Sequence, residues 1–157
     1  MKVLLVYPEF TDTYWSFKHA LAFEGKRAAF PPLGLMTVSS MLPNEWETRL
    51  VDMNIGKLTD ADIEWADMIF LSAMIVQNVS LEDVVRRSRA FGKRIVVGGP
   101  YVSTSSESLP DADHIFIGEA EETLPDFIRD LELGIPEKVY KADERPSLHA
   151  TPVPDFG

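Results

Sequence analysis

The chain contains 157 residues, of which 45% are hydrophobic, and its formal net charge is -10 at pH 7. This composition is sufficient for the core of one domain, whereas the acidic balance, without a cluster of more than two adjacent Lys or Arg, argues against nucleic-acid or anionic-membrane binding. The absence of cysteine excludes disulfides, thiolate metal sites and cysteine nucleophiles.

The first residues, "MKVLLVYPEF", contain an apolar run that is too short for a signal sequence. No later run approaches the roughly 18 residues of a membrane span. We therefore expect a cytoplasmic protein without a membrane span.

Five short apolar runs predict buried β-strands. Each run is nearly continuous rather than alternating, which is typical of a parallel sheet whose two faces are both covered by helices. The predicted strands are residues 3–7, 49–52, 68–72, 94–97 and 114–117.

Helical patterns lie between these runs. Prolines at the start of "PPLGLMTVSSML" suit the first turn of a helix whose apolar face contains Leu35, Val38 and Leu42. Further helices are predicted at residues 60–65, from an N-cap at residue 80 to a stop at residue 92, and at 119–134. The alternation predicts an α/β fold, a doubly wound (flavodoxin-like or Rossmann-like) sheet of five parallel strands in the order 2-1-3-4-5.

Two segments depart from this alternation. Residues 136–157 contain four prolines and little periodicity, so we expect a domain over residues 1–135 followed by an extended tail or linker. The connection after the first strand exceeds twenty residues and is rich in aromatics. Loops of this length are usually functional, and we expect its aromatic side chains to pack on the sheet rim, a partner or a ligand.

Ligands of open α/β sheets bind beyond the carboxyl ends of the strands. The "YPEFTD" after the first strand is not the G-x-G-x-x-G of a dinucleotide fold, and no Walker A loop is present. Ser72 and Gly118 stand where a receiver domain needs aspartate and lysine. The segment "FTDTYWS" has the hydroxyl groups of a flavodoxin phosphate loop but lacks its glycine. A flavin- or nucleotide-binding module therefore stays as an alternative.

Small residues follow three neighbouring strands of the predicted sheet. Ser72 ends the third strand, Gly98-Gly99 follow the fourth, and Gly118 follows the fifth. Together they predict a deep slot for a long ligand tail that lies against the backbone, where a Cβ would clash. Alternatively, the paired glycines ease a strand-to-helix turn and Ser72 caps a backbone amide.

Four motifs in this order, "FPPLGL", "FLSAMIVQ", "VVGGP" and "GEAEETLPDF", resemble the N-terminal cobalamin-binding domain of B12-dependent radical SAM proteins. The longer stretch around "YWSFKHAL" and "WETRLVDMN" is similar to the subgroup with the hopanoid methylases and the proteins that resemble anaerobic Mg-protoporphyrin ester cyclase. The likeness covers essentially residues 1–157.

The resemblance implies cofactor-binding residues in four segments. These are the helix entry near the corrin (Pro32, Leu33 and Gly34), the channel for the nucleotide tail (Ser72 and Met74), the glycine loop beside that tail (Gly98, Gly99, Pro100 and Tyr101), and the segment near the benzimidazole and ribose (Gly118, Glu119 and Glu122). We assign Glu121 only a stabilising role at the helix N-terminus.

The chain departs from the cobalamin mutases and methionine synthase, because the loop after the first strand lacks their Asp-x-His-x-x-Gly motif. His19 is the only histidine in this loop, and we expect it to be a packed or solvated residue rather than a cobalt ligand. The lower axial position is thus left to solvent, a loop side chain or no ligand. Without cysteines the chain cannot hold an iron–sulfur cluster.

The resemblance therefore implies a C-terminal radical SAM barrel that carries S-adenosylmethionine and a 4Fe–4S cluster, beyond this chain. The chain by itself would bind cobalamin without turnover, and the parent enzyme would perform methyl transfer or related radical chemistry. A third hypothesis is an interaction domain that has kept the fold and lost the ligand.

Overall fold

Six parallel strands form one sheet in the computed structural model, which describes residues 1–11, 31–104, 111–142 and 152–154. The strands are β1 (Lys2–Tyr7), β2 (Glu47–Asp52), β3 (Met68–Ser72), β4 (Arg94–Gly98), β5 (His114–Ile117) and β6 (Val139–Lys141). They lie in the order 2-1-3-4-5-6. The predicted fold class and the order of the first five strands are confirmed.

The predicted count of five strands is one too low, because β6 pairs with β5 within the segment that the sequence predicted as a tail. β6 has three residues, and only its central side chain, Tyr140, is buried. The Tyr140 ring packs edge-on against Phe116 and Phe127, and its hydroxyl donates to Asp130 Oδ2 at 3.1 Å. So short an edge strand has no apolar run, and tertiary contacts position it.

Five α-helices connect the strands within the described ranges. They are α1 (Leu33–Met41), α2 (Asp60–Trp65), α3 (Asn78–Ala90), α4 (Pro100–Thr104) and α5 (Ala120–Leu133), and a 3₁₀ turn (Ile75–Gln77) precedes α3. The sequence did not predict α4, which has only five residues. None of these helices is long and apolar enough to cross a membrane.

Local signals account for most helix ends. A capping box between Thr59 and Asp62 starts α2, and Gly134, with φ of 75°, ends α5 as predicted. α3 begins two residues before the predicted cap at Ser80. The Ser80 hydroxyl instead accepts a hydrogen bond from the Glu9 N–H at 2.9 Å, which joins α3 to the loop after β1.

Helices cover both faces of the sheet, each over its own apolar core. α2, α3 and α4 pack on the face that carries Leu4, Ile69 and Ile95. α1 and α5 pack on the opposite face, here called the α1/α5 face, through residues that include Leu35 and Phe127. Both helices begin near the carboxyl edge of β3, β4 and β5, so this edge forms the base of the site described next.

Candidate functional site

A cavity of about 220 Å³ lies on the α1/α5 face at the carboxyl edge of β3, β4 and β5. Phe70, Val96 and Phe116, one from each strand, form its apolar floor. One wall is the first part of α1, which contributes Leu35 and other residues, and the opposite wall is the start of α5. An apolar floor with few polar groups at the rim is typical of a site for a small organic ligand.

Residues from each of the four predicted segments line this cavity. The structure thus brings together three strand ends and the helix entry, which are distant in the sequence. The lining includes seven of the twelve predicted residues: Gly34, Ser72, Gly98, Gly99, Pro100, Gly118 and Glu119.

The other five predicted residues are not among those that line it. Leu33 and Met74 are exposed, whereas Pro32 is buried. Tyr101 is only 6% exposed and packs in the core of the opposite face. Glu122 is exposed on α5. His19 and the aromatics at residues 14–30 of the loop after β1 lie outside the described residues.

Gly98 is a glycine in the floor of the cavity at which the protein's own packing leaves room for a side chain. It pairs with Ser72 in the register of β3 and β4. A Cβ built on it would lie 3.5 Å from Phe116 Cβ, which is an ordinary contact distance. Because the protein's own packing does not require glycine here, the missing side chain enlarges the cavity, as the sequence predicted for a ligand slot.

Gly99 is a glycine for a different reason. Its φ is 90°, and a Cβ would lie 2.5 Å from Ser72 Oγ and 3.2 Å from the Ala73 nitrogen. The chain turns here directly into α4, where the Tyr101 N–H donates to the Ala73 carbonyl at 3.0 Å. The alternative that the paired glycines serve a strand-to-helix turn therefore applies to Gly99.

Gly118 lies under the segment that follows β6. Its φ is 92°, and a Cβ would approach Ala142 Cβ to 2.8 Å. The Ala142 N–H donates to the Ile117 carbonyl at 2.9 Å, and the Gly118 N–H donates to Ser103 Oγ at 3.0 Å. The rim of the cavity at β5 is thus held between α4 and the chain after β6.

Two carboxylates stand at the α5 side of the rim. Glu119 is the N-cap residue of α5, and both Glu119 and Glu121 line the cavity, whereas Glu122 does not. Consecutive residues of a helix differ by roughly 100° in direction. The sequence analysis predicted Glu119 and Glu122 at the ligand and gave Glu121 only a stabilising role, whereas Glu121 rather than Glu122 lines the cavity.

A hydrogen-bonded network that the sequence analysis did not identify holds the loop after β1. Gln77 is fully buried, and its Nε2 donates to the Pro8 carbonyl at 2.6 Å while its Oε1 accepts the Met74 N–H at 2.8 Å. Asn54 Nδ2 also donates to Pro8, and Asn54 Oδ1 accepts the Phe10 N–H. The polar residues after β2 and β3 were the available signal, but their partners depend on the strand order.

Tyr7 ends β1 beside this network. Burial and the nearby carboxylate of Asp52 raise the pKa of the Tyr7 hydroxyl, against a smaller opposing effect of the hydrogen bond with Gln77. Asp52 itself accepts hydrogen bonds from the backbone and side chain of Asn54. No group of three or more His, Asp or Glu within the described ranges is arranged to hold a metal ion.

The arrangement fits a ligand that is largely apolar and able to donate hydrogen bonds. Gly98 leaves space against the floor, and the carboxylates of Glu119 and Glu121 at the rim can accept hydrogen bonds from hydroxyl groups. The cradle that a Cβ at Gly98 would fill is the feature of this site that most directly indicates a ligand.

Comparison with known proteins gives three findings. Residues 27–128 match the family model described as the B12 binding domain. The chain is 38% identical over 158 residues to an uncharacterized methyltransferase of Synechocystis sp., and 32% identical over 160 residues to the hopanoid C-2 methylase of Rhodopseudomonas palustris. No solved structure matches it at a significant level.

Each of these two alignments covers 99% of this chain but 30% of the relative. The chain thus spans about 30% of the length of the curated relatives it matches. The matches confirm the resemblance that the motifs indicated.

Proposed function

Because the chain belongs to the B12 binding domain family, we propose that it binds cobalamin and that the cavity between α1 and α5 holds the nucleotide tail. The observation that carries this proposal is the slot at Gly98, where a Cβ would have only ordinary contacts and yet none is present. Phe70, Val96 and Phe116 would contact the benzimidazole, and Ser72 and Glu119 would receive its polar groups.

We further propose that the chain is the cofactor module of a larger methyl-transferring enzyme. The support is the length of the two relatives, of which the chain covers 30%, and the names of these relatives, one a methyltransferase and the other a methylase. When bound, cobalamin supplies a methyl group on cobalt. The residues of this chain would hold the tail and orient the corrin, whereas the substrate would be selected elsewhere.

The finer proposal is that the remainder of that enzyme is a radical SAM barrel. It would carry S-adenosylmethionine and a 4Fe–4S cluster, which this chain cannot hold because it has no cysteine. Electron paramagnetic resonance of a longer, reconstituted protein would test this proposal, since a reduced 4Fe–4S cluster is paramagnetic. Absence of the cluster signal would contradict the barrel.

The cofactor itself is tested by adding hydroxocobalamin to the purified chain, desalting, and recording the UV–visible spectrum. We expect a retained corrin with a base-off band, because a tail inserted into the cavity cannot bind cobalt at the same time. Loss of the corrin from this chain and from a form that continues past residue 157 would contradict the proposal. Retention of added flavin instead would identify a flavin-binding module.

A further inference from the structure

We propose that the outer edge of β2 pairs with the same edge of a second copy of this chain, in an antiparallel arrangement centred on Thr48. β2 is the terminal strand on one side of the sheet, so no strand of the described ranges pairs with its outer edge. An unpaired edge strand presents backbone N–H and C=O groups to which another strand can pair. This surface is separate from the cavity, whose described lining residues come from α1, from α5 and from β3, β4 and β5 with the residues that follow them.

The pairing with β1 fixes which backbone groups of β2 point outward. The Glu47 N–H donates to the Met1 carbonyl at 2.9 Å, so the backbone of Glu47 faces β1. Because this direction alternates along a strand, Arg49 also faces β1, whereas Thr48 and Leu50 face away from it. Thr48 and Leu50 therefore offer their N–H and C=O groups to a partner strand.

The side chains of β2 alternate as well, and its two faces differ in character. Arg49 lies on the face covered by α2, where its Cζ is 4.0 Å from the centre of the Trp65 ring, and Glu47 shares this face. Trp46 and Leu50 lie on the α1/α5 face. There Trp46 packs against the core, whereas Leu50 is 41% exposed.

Glu47 and Arg49 are exposed charges of opposite sign. Neither forms an ion pair with another residue of the ranges that the structure describes. Stacking on Trp65 occupies the flat face of the guanidinium and leaves the N–H groups at its edge available to a carboxylate. Both charges can therefore take partners in a second copy.

A two-fold axis at Thr48 makes both faces of the strand self-complementary. Glu47 of each copy then lies opposite Arg49 of the other, which gives two ion pairs. Trp46 lies opposite Leu50 on the α1/α5 face and covers the exposed leucine. The two Thr48 residues exchange a pair of backbone hydrogen bonds, as outward-facing residues of antiparallel strands do.

The charges also select this register over its neighbours. An axis at Glu47 or at Arg49 would place like charges opposite each other, which destabilises a strand pair. An axis at Leu50 would place Glu47 opposite Met53 and leave the ion pairs unmade. Among the possible axes within β2, Thr48 is thus the one that pairs opposite charges.

The other edge of the sheet is less suited to pairing. β6 has three residues against six in β2, and its Val139 and Lys141 are exposed. Very short strands and lysine are devices by which natural proteins keep an edge unpaired. The exposed charges of β2 would instead attract a copy that is rotated by the two-fold axis.

Sedimentation equilibrium of the wild-type chain over a concentration series tests the pairing. We expect a weak dimer, since one pair of edge strands buries less area than a stable interface. Arg49→Glu and Glu47→Arg should each weaken association at least about tenfold, because both ion pairs become like-charge contacts. The double variant Glu47→Arg/Arg49→Glu should restore most of the association, although it lacks the stacking on Trp65.

Arg86→Glu is the matched control for these charge reversals. It makes the same change of charge on α3, at a side chain that is 76% exposed, and should leave association unchanged. Equal weakening by Arg86→Glu and Arg49→Glu, or no restoration in the double variant, would overturn the proposal.

Cross-linking tests the register itself, because the chain has no cysteine of its own. In the proposed dimer the Cα atoms of the two Thr48 residues lie about 5.5 Å apart, a separation that a disulfide spans. Thr48→Cys should therefore form covalent dimers under mild oxidation. Leu50→Cys is the control, since its two copies would be offset by four residues, or roughly 14 Å.

Equal cross-linking of the two cysteine variants would overturn the proposed register. A chain that stays monomeric at every concentration, without selective cross-linking at Thr48, would overturn the pairing and leave the edge to another part of the parent enzyme. Hydroxocobalamin retention should be the same in all of these variants, since the cavity lies at β3, β4 and β5. Failure of the pairing and failure of the proposed function are therefore separate results.

Discussion

A Cβ on Gly99 would lie 2.5 Å from Ser72 Oγ, so the ends of β3 and β4 approach each other too closely for a side chain at this position. The two strands are neighbours in the sheet, and the chain leaves β4 at a φ of 90°. Both the contact and the backbone angle require glycine, independently of any ligand.

Gly99→Ala should lower the free energy of unfolding by roughly 2–4 kcal/mol, of which about 1–2 kcal/mol is backbone strain and the rest steric contact. Urea unfolding followed by circular dichroism measures this change. The double variant with Ser72→Ala should recover part of the stability lost to the steric contact. It should recover none of the stability lost to backbone strain. A Gly99→Ala protein as stable as the wild type would contradict this account.

Gly98→Ala should separate stability from ligand binding. Its Cβ would make only an ordinary 3.5 Å contact with Phe116, so we expect the free energy of unfolding to stay within about 1 kcal/mol of the wild-type value. Hydroxocobalamin should nevertheless bind at least about tenfold more weakly, because the methyl group occupies the slot. Equilibrium dialysis gives the affinity, and wild-type affinity in this variant would show that the slot is not used.

Gly118→Ala should detach β6 rather than unfold the domain. The added Cβ would meet Ala142 Cβ at 2.8 Å and displace the chain that follows the strand. Hydrogen exchange at the Ala142 amide, which donates to Ile117, should accelerate. Ala142→Gly should restore part of the protection.

Gly134→Ala is the control for the backbone strain that Gly118→Ala also introduces. Its φ is 75°, but a Cβ there has nothing within 4 Å. It should therefore destabilise the chain by strain alone, about 1–2 kcal/mol, without accelerating exchange selectively at Ala142. Equal acceleration in both variants would show that the Gly118 contact is unimportant.

Asp113 should make the stability depend on pH in the acid range. Burial acts to raise the pKa of the Asp113 carboxyl, but hydrogen bonds from the Ile95 N–H and Arg89, together with the charge of Arg89, outweigh it and hold the pKa below its usual 3.8. A lowered folded-state pKa contributes stability above the unfolded-state value, and this is lost as pH falls through the folded-state pKa.

We expect Asp113→Asn to be less stable than the wild type by about 1–2 kcal/mol at pH 7, a value already reduced for the partial exposure of the pair with Arg89. The difference should shrink below pH 3.8 and vanish when the carboxyl is fully protonated. Urea midpoints at several pH values measure it. Asp113 lies at the amino end of β5, opposite the cavity, so cobalamin affinity should not change.

Much of the fold was predictable because its signals are local. Continuous apolar runs marked β3 and β5 with correct bounds, and the spacing of Leu35, Val38 and Leu42 marked the buried face of α1. β6 was not predicted, because only one of its residues, Tyr140, is buried. α4 was not predicted, because a helix of five residues that begins with a proline shows too little hydrophobic periodicity.

The candidate site was predictable only in part. Small residues at three strand ends indicated a slot, and Ser72, Gly98 and Gly118 do line one cavity. Tyr101, which follows the same glycines, packs on the opposite face because α4 rotates it away from the cavity. Adjacency in the sequence therefore did not indicate adjacency in the site.

By itself, the sequence determined the fold class, the order of the first five strands and the relation to cobalamin-binding domains, since each depends on residue types repeated along the chain. Only the tertiary structure decided which glycine is required by the packing of the chain itself and which leaves room for a ligand. Gly99 and Gly118 are constrained by Ser72 and Ala142, whereas Gly98 is not. The physical reason is that the space around a Cβ is set by atoms from other elements, whose positions depend on strand order and register.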